Sequence, residues 1–512
     1  MEKRILGIEF GSTRIKAVLI DEKANVLAQG SYEWENVLVD GLWSYPLSEV
    51  EKGLQTSYAD LIKNYGQPLK SVDAIGVSAM MHGYLVFDKD DNLLAPFRTW
   101  RNTNTGEAAS QLSSLFNFNV PLRWSVSQYY QSVLDGLSHV KDIAYLTTLS
   151  GYVHYRLTGK RVLGVDDASG IFPVKDGYYD TDMLAKFNDL LKSKGVDVKF
   201  ETLLPDVLVA GECAGYLTEE GARWMDVSGS LSSGIVLCPP EGDMGTGMIA
   251  TNCVSPREAN ISSGTSANLT VILEKPLESY YPEIDVIATP SGYPAALVHA
   301  NNCTTEINEW VNMLGEAASL MGAQFDKNQL FTKLFKASMD SDPDVGEIAT
   351  YNFLAGEPLA GTRNGAPVVV RRPGGKMTLA NFMQAQIYSA IATLKLGVDI
   401  LEKEGVKIDS VLAHGGFYKT DFVGQNATSA VLNAPVTVMK TAAEGGAWGM
   451  AVLALYVTDN QKPLNLFLND VFAGAEKKVV EASEQEKEKC ARFMENYRKF
   501  MKAEQVASLE NK

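Results

Sequence analysis

Short apolar runs separated by polar turns open the chain. Residues 4–8, 17–20, 26–30, 74–77 and 84–87 carry the aliphatic and β-branched density of buried strands, and an amphipathic helical stretch at 47–65 lies among them. A meander of strands followed by a helix and another strand predicts a mixed α/β domain. Residues 102–230 are richer in aromatics and turns, which suits inserted or substrate-facing structure. Order returns with an apolar strand at 234–238, a Pro-Pro-Glu-Gly turn at 239–242, and a Gly-rich helix start from Asp243.

The second half repeats this logic. Ile387, Ile391, Leu394, Val398 and Leu401 fall at i, i+4, i+7, i+11 and i+14, one helical stripe, with Gly405 where a C′ glycine is expected. Strands are predicted at 411–413 and 436–438, and the small residues of 444–449 predict a helix start that allows close packing. Near the C-terminus Phe493, Tyr497, Phe500 and Met501 form an apolar helical face expected to dock on a core.

Two segments of this pattern are copies of each other. Ile8-Glu9-Phe10-Gly11-Ser12-Thr13 leads into Ala17–Ile20, and Ile261-Ser262-Ser263-Gly264-Thr265-Ser266 leads into Thr270–Leu273. Gly264 follows Gly11 by 253 residues, as Val271 follows Val18, so the segments align without a gap. Each reads as strand, Gly-Ser/Thr turn, strand. The glycine lets backbone approach a ligand, and the amides and hydroxyls offer donors to a phosphate. One such turn is an ordinary hairpin; two, each opening about half of a 512-residue chain, suggest a duplicated fold closing on one nucleotide. The boundary is expected within 248–257.

Composition narrows the class. The 46 basic and 62 acidic residues leave a net charge of −16, which argues against a nucleic-acid footprint or an anionic membrane partner. No apolar run reaches membrane-spanning length, and the N-terminus carries no secretory pattern. Cys213, Cys238, Cys253, Cys303 and Cys490 are scattered, without metal-ligand spacing; reduced thiols in a cytoplasmic protein are expected.

Asp243 is the leading candidate for chemistry. A carboxylate at a helix N-terminus is fixed and kept ionised, so it can take a proton from a sugar hydroxyl attacking a γ-phosphorus. Glu9 beside the first turn, together with Asp243, could hold Mg²⁺, and Lys16 could reach the phosphates of ATP. Gly11, Ser12, Thr13, Gly264 and Thr265 would supply phosphate donors, and Gly415 and Gly416 at a strand end suit a nucleoside. Met81 and His82 at one strand end, with Trp100, Arg101 and Asn102 at the next, offer the few polar groups in an apolar wall that a small polyol requires. The chain contains no Gly-x-x-x-x-Gly-Lys-Ser/Thr run, and Gly245-Thr246-Gly247 lacks the βαβ context of a dinucleotide fingerprint.

With these residues the chain resembles the FGGY carbohydrate kinases, such as xylulokinases, gluconate kinases and glycerol kinases. The matching pieces, spread over nearly the whole chain, are the first hairpin, Met81-His82-Gly83, Trp100, Gly242-Asp243, Gly264-Thr265-Ser266, the helix near Met383–Leu401, Gly415-Gly416 with Gln425, and 444–451. The resemblance implies two duplicated actin-like ATPase (ribonuclease H-like) domains with a cleft between them: 1–250 for sugar and 251–512 for nucleotide. It also implies Asp243 as general base and Met81 and His82 at the sugar. ATP, Mg²⁺ and a small sugar are the expected ligands, and a homodimer is left open. Three departures from the family pattern stand out: Glu9 for Asp, Arg101-Asn102 for Asn-Asp, and Phe417 for a third glycine. The Arg101-Asn102 exchange suggests an acidic or differently configured sugar. An actin-like nucleotide-gated regulator without kinase activity is the alternative reading.

Overall fold

In a computed structural model, which describes residues 3–439 and 445–509, the chain forms two α/β bodies, each built on a seven-stranded sheet. In the first, strands Ile5–Phe10, Arg14–Ile20 and Val26–Glu33 form an antiparallel meander, and Ala74–Ala79 pairs parallel to Ile5–Phe10 on the other side. In the second, Glu258–Ser263, Ala267–Ile272 and Pro294–Ala300 form the meander, and Ser410–His414 pairs parallel to Glu258–Ser263. The helix preceding each parallel strand also corresponds, Leu47–Tyr65 in one body and Leu379–Lys403 in the other. The duplication read from two short turns therefore extends to whole sheets.

The first strands of the two meanders keep the 253-residue offset end to end, but the hairpins differ in register. Phe10 pairs with Ile15, whereas Ser263 pairs with Ala267, one residue tighter. The cause is the turn. Gly11 N–H donates to the Arg14 carbonyl at 3.0 Å, while Gly264 N–H closes onto Ser266 at 2.9 Å.

Leu47–Tyr65 ends at Gly66 in the left-handed conformation, φ 83°. The stripe from Ile387 to Leu401 is buried, and Gly405 is left-handed with its N–H on Glu402. Phe493 and Tyr497 of helix Glu484–Leu509 are buried in the second core, so this face docks as expected. Two predicted elements change. The run at 84–87 leaves the main sheet, because Leu85–Phe87 pairs with Tyr145–Thr147. Within the predicted 239–242 turn, Glu241–Gly242 extends alongside Ser78–Ala79 as a short parallel strand.

The expected division after residue 250 falls between helix Asp243–Ala250 and strand Glu258–Ser263. Packing crosses it, however. Helix Gly446–Val457 comes from the second half, is buried almost all round, and completes the core under the first sheet, joined there by Leu464, Phe467, Leu468 and Phe472. Its small residues explain how. A Cβ on Gly7 would overlap the Ala447 carbonyl oxygen, and one on Gly449 would overlap that of Thr246, so strand and helices touch backbone to backbone. Glu444, at the start of this predicted element, lies outside the described residues. Among the described residues, no helix is long and apolar enough to cross a membrane.

Candidate active site

Ile5–Phe10, Ala74–Ala79 and Glu241–Gly242 run parallel, with Glu9 opposite Ser78 and Gly242 opposite Ala79. Their C-terminal ends therefore deliver Glu9, Met81-His82 and Asp243 to one edge of the first sheet, where α/β folds place ligands. Asp243 is the first residue of its helix, and its Oδ1 accepts the Met81 N–H at 3.1 Å. The Met81 side chain is buried against Gly242, where a Cβ would overlap it. The Asp243 carboxylate is solvent-accessible yet set deep in the protein. Burial raises its pKa above the ordinary Asp value; the N–H groups of Met81, Asp243 and Met244, and the charge of Arg123, oppose the rise. Contact with solvent works against that desolvation.

Glu9 is half-buried, not a solvated strand end. Its carboxylate accepts the Ala447 N–H at the N-terminus of helix Gly446–Val457, and a Cβ on Gly446 would overlap it. Burial raises its pKa, the Asp243 charge raises it further, and Lys16, its cross-strand partner, lowers it. The Lys16 ammonium lies 3.6 Å from where a Gly445 Cβ would be. Glu9, Lys16 and Asp243 are thus one electrostatic group. Among the described residues no cluster of three or more His, Cys, Asp or Glu could hold a metal ion. Two neighbouring carboxylates without a cage suit Mg²⁺, which is usually bound by one or two carboxylates plus phosphate oxygens and water.

His82 adopts φ 65°, a left-handed conformation that a non-glycine residue takes at a cost. Its Nδ1 lies 3.3 Å from the Gly170 carbonyl, and its Nε2 lies 3.0 Å from the Arg123 Nε–H. Those partners assign a neutral ring that donates from Nδ1 and accepts at Nε2. Burial, followed by the Arg123 charge, holds its pKa well below the ordinary imidazole value, against the Gly170 hydrogen bond. Arg123 also forms an ion pair through Nη2 with Asp285, on strand Ile284–Ala288 of the second body, and Asn119 Nδ2 donates to the other Asp285 oxygen at 2.8 Å. His82 is thereby tied to the opposite body. Arg123 lies in a Pro-Leu-Arg-Trp turn without periodicity; an arginine beside a tryptophan ahead of a helix was its only signal in the sequence.

Trp100 is 40% exposed and donates through Nε1 to Ser12 Oγ at 3.3 Å, on the first hairpin. The other two residues of that stretch turn elsewhere. Arg101 stacks over Trp43 at 4.3 Å and donates to Asn36 at 3.1 Å. Asn102 is buried, with its amide committed to the Trp43 backbone on both sides and to the Thr99 carbonyl. These bonds use its side chain to fix the loop, so the expectation that Asn102 contacts the ligand does not match its placement.

Of the predicted nucleotide residues, Gly264, Thr265, Gly415 and Gly416 lie on the second body, and Gly11, Ser12, Thr13 and Lys16 on the first. Gly264 and Thr265 form the hairpin turn, pinned when Thr304 Oγ1 donates to the Gly264 carbonyl at 2.7 Å. Gly415 has φ 109°, and a Cβ there would overlap the Ser263 carbonyl oxygen, so glycine is required where this loop crosses the hairpin. Gly416 is open, beside a cavity of about 560 Å³ lined by Thr304, Asn308, Lys327, Phe331 and Phe417 among others. Phe417, at the third-glycine position, is buried and packs edge-on against Phe335. Gly11, Ser12 and Thr13 lie at the other turn, where Gly11 and Ser12 carbonyls accept from Trp34 and Tyr45.

Behind Asp243 lie three buried carboxyl groups that the sequence reading missed: Asp166, Asp167 and Glu241. Burial, then mutual repulsion, drives Asp166 and Glu241 well above the carboxylate range, and burial pushes Asp167 up to about 7 against the Ser150 and Thr148 hydroxyls.

The N-terminal domain of the FGGY family of carbohydrate kinases matches residues 4–232, and the C-terminal domain of that family matches residues 259–458. A xylulose kinase of Haemophilus influenzae is 22% identical over 470 residues, covering 88% of this chain and 90% of the relative. Among solved structures, a xylulose kinase from Rhodospirillum rubrum superposes with a TM-score of 0.80 at 15% identity, covering 98% and 99% of the two chains. A gluconate kinase from Lactobacillus acidophilus does so at 0.79 and 19%, over the full length of both. The two bodies have the actin-like ATPase fold of these kinases, and the chain belongs to the FGGY family of carbohydrate kinases.

Proposed function

We propose that this kinase transfers the γ-phosphoryl group of ATP to a hydroxyl of a small sugar, with Asp243 as general base. The observation that carries this reading is the Asp243 carboxylate itself, open to solvent, held by the Met81 N–H and backed by a helix N-terminus. A fixed acceptor at that point takes the hydroxyl proton as the sugar oxygen attacks the phosphorus, while the protein contributes mainly position and charge. Trp100 provides an apolar wall and Arg123 donors for sugar hydroxyls, while His82, with both ring nitrogens engaged, orients Arg123. The two hairpin turns hold the phosphates, Lys16 adds a cation, and the nucleoside lies in the cavity beside Gly416. Glu9 and Asp243 would hold Mg²⁺, which when bound neutralises charge on the transferring phosphate.

Similarity along most of the chain to xylulose kinases supports a ketopentose as the first substrate to test, ahead of hexuloses, polyols and sugar acids. ADP release measured over such a panel, with wild type and Asp243→Asn, tests the reading. One sugar should raise ADP release strongly in wild type, and Asp243→Asn should lose about 10²–10⁴-fold of that rate. Sugar-independent ADP release across a broad panel would favour the nucleotide-gated regulator instead.

A further inference from the structure

The loop carrying Asp243 is clasped from behind by residues 164–167. Gly164 N–H donates to the Pro240 carbonyl at 2.7 Å, and Asp166 N–H donates to Glu241 Oε2 at 3.2 Å. In return Asp166 Oδ2 accepts two N–H groups, from Gly242 and from Gly245, each at 3.0 Å. These amides flank Asp243 on both sides. Gly242 is the N-cap residue of the Asp243 helix and has no side chain to cap it, so the cap comes from a distant segment. The fit is close: Cβ atoms on Gly242 and Gly245 would lie 2.8 and 2.6 Å from the same Asp166 oxygen. Gly164 has no side chain of its own, and the Glu241 carboxyl occupies the space where its Cβ would stand.

We propose that Asp166 is the positioning residue of the phosphoryl-transfer base, one buried oxygen that fixes the amides on either side of Asp243 and so aims its carboxylate. The inference rests on Asp243 being that base. Asp166 does not touch the substrate; it acts through the orientation of another side chain. Two amides held by one acceptor fix both the position of the helix start and its rotation, which a single cap bond would not. A change of about 1 Å in the base is enough to cost about 10²-fold in rate.

A double-mutant cycle on the full-length protein tests this. Asp166→Ala should lower kcat by about 10- to 100-fold. The KM values for sugar and for ATP should stay within about threefold, since neither ligand meets Asp166. Asp166→Asn, which keeps the accepting oxygen, should hold kcat within about fivefold of wild type. In an Asp243→Asn background Asp166→Ala should add no further loss beyond about threefold, because a positioning residue has nothing left to position. Wild-type kcat in Asp166→Ala, or multiplicative losses in the double mutant, would overturn the role of Asp166 while leaving the base assignment intact. Near-native kcat in Asp243→Asn overturns both. If Asp166→Ala does not fold by circular dichroism, Asp166→Asn decides alone: a folded protein with kcat lost by more than about fivefold refutes the acceptor role.

Discussion

The Nε–H of Arg123 points at Nε2 of His82 across 3.0 Å, while the other end of the same guanidinium pairs with Asp285 of the opposite body. One side chain thus bonds both the His82 ring and the opposite body. Replacing it by Met leaves a buried imidazole acceptor unpaired and takes the cation from a half-buried carboxylate that keeps the Asn119 N–H, at a cost of about 1–3 kcal/mol. Arg123→Met is therefore expected to lower kcat/KM for sugar by about 5- to 150-fold with the KM for ATP little changed. Equal losses on both substrates would assign Arg123 to folding alone.

The Asp243 carboxyl must be ionised to accept a proton, and burial raises its pKa above the ordinary 3.8. Activity should fall as pH falls, along an acid limb centred above that value. Arg123 holds the pKa down, so Arg123→Met should move the limb to higher pH. Rate profiles for the two proteins that superimpose after scaling would show that Arg123 does not act on Asp243.

Asp167 accepts the Thr148 hydroxyl at 2.6 Å, and that of Ser150, yet its pKa rises to about 7. The folded state therefore keeps a proton that the unfolded chain releases near 3.8. Stability from this group is full below the unfolded value and is lost as pH rises towards about 7. Asp167→Asn, which mimics the protonated group, should raise Tm at pH 8 more than at pH 5, measured by thermal melts. An equal shift at both values would contradict the ionisation.

Thr265 is exposed at the second hairpin turn, and its backbone carbonyl is already occupied by the Cys303 N–H. Its hydroxyl is one of the donors proposed for phosphate. Thr265→Val should weaken ATP by about 0.5–1.5 kcal/mol, two- to tenfold in Kd, without altering sugar binding. Calorimetric titration of each ligand checks it, and an unchanged ATP Kd would remove this turn from the nucleotide site.

Arg101 was the sequence's candidate for choosing the sugar, through a guanidinium gained where the family carries an amide. Its stacking on Trp43 and its bond to Asn36 commit it elsewhere. Arg101→Ala should scale kcat/KM for three sugars in parallel, or not at all. A changed ranking would restore it to the specificity pocket.

What the sequence made legible follows from locality. The glycine turns, the Ile387–Leu401 stripe and the Asp243 helix start are each set by residues within a turn or two of one another, and the structure has them where the pattern put them. The one-residue register difference between hairpins escaped, because it depends on which amide closes the turn. Arg123, Asp166 and the commitment of Asn102 escaped for a different reason. Their partners are distant: Asp166 acts 76 and 79 residues away, Arg123 at 162, and Asn102 at 59. No window along the chain holds both ends of those bonds.

Helix Gly446–Val457 and the residues to Phe472 fill the first core, yet strand Lys477–Val480 returns to the second sheet. Among the described residues the chain therefore changes body three times: between Ala250 and Glu258, between strand Val436–Met439 and helix Gly446–Val457, and between Phe472 and Lys477. The helix that covers the first sheet is thus synthesised only after the meander of the second sheet. Cutting the gene at the apparent midpoint would separate a sheet from its own cover. These kinase halves are duplicated in pattern, yet the first shares its core with a helix encoded in the second.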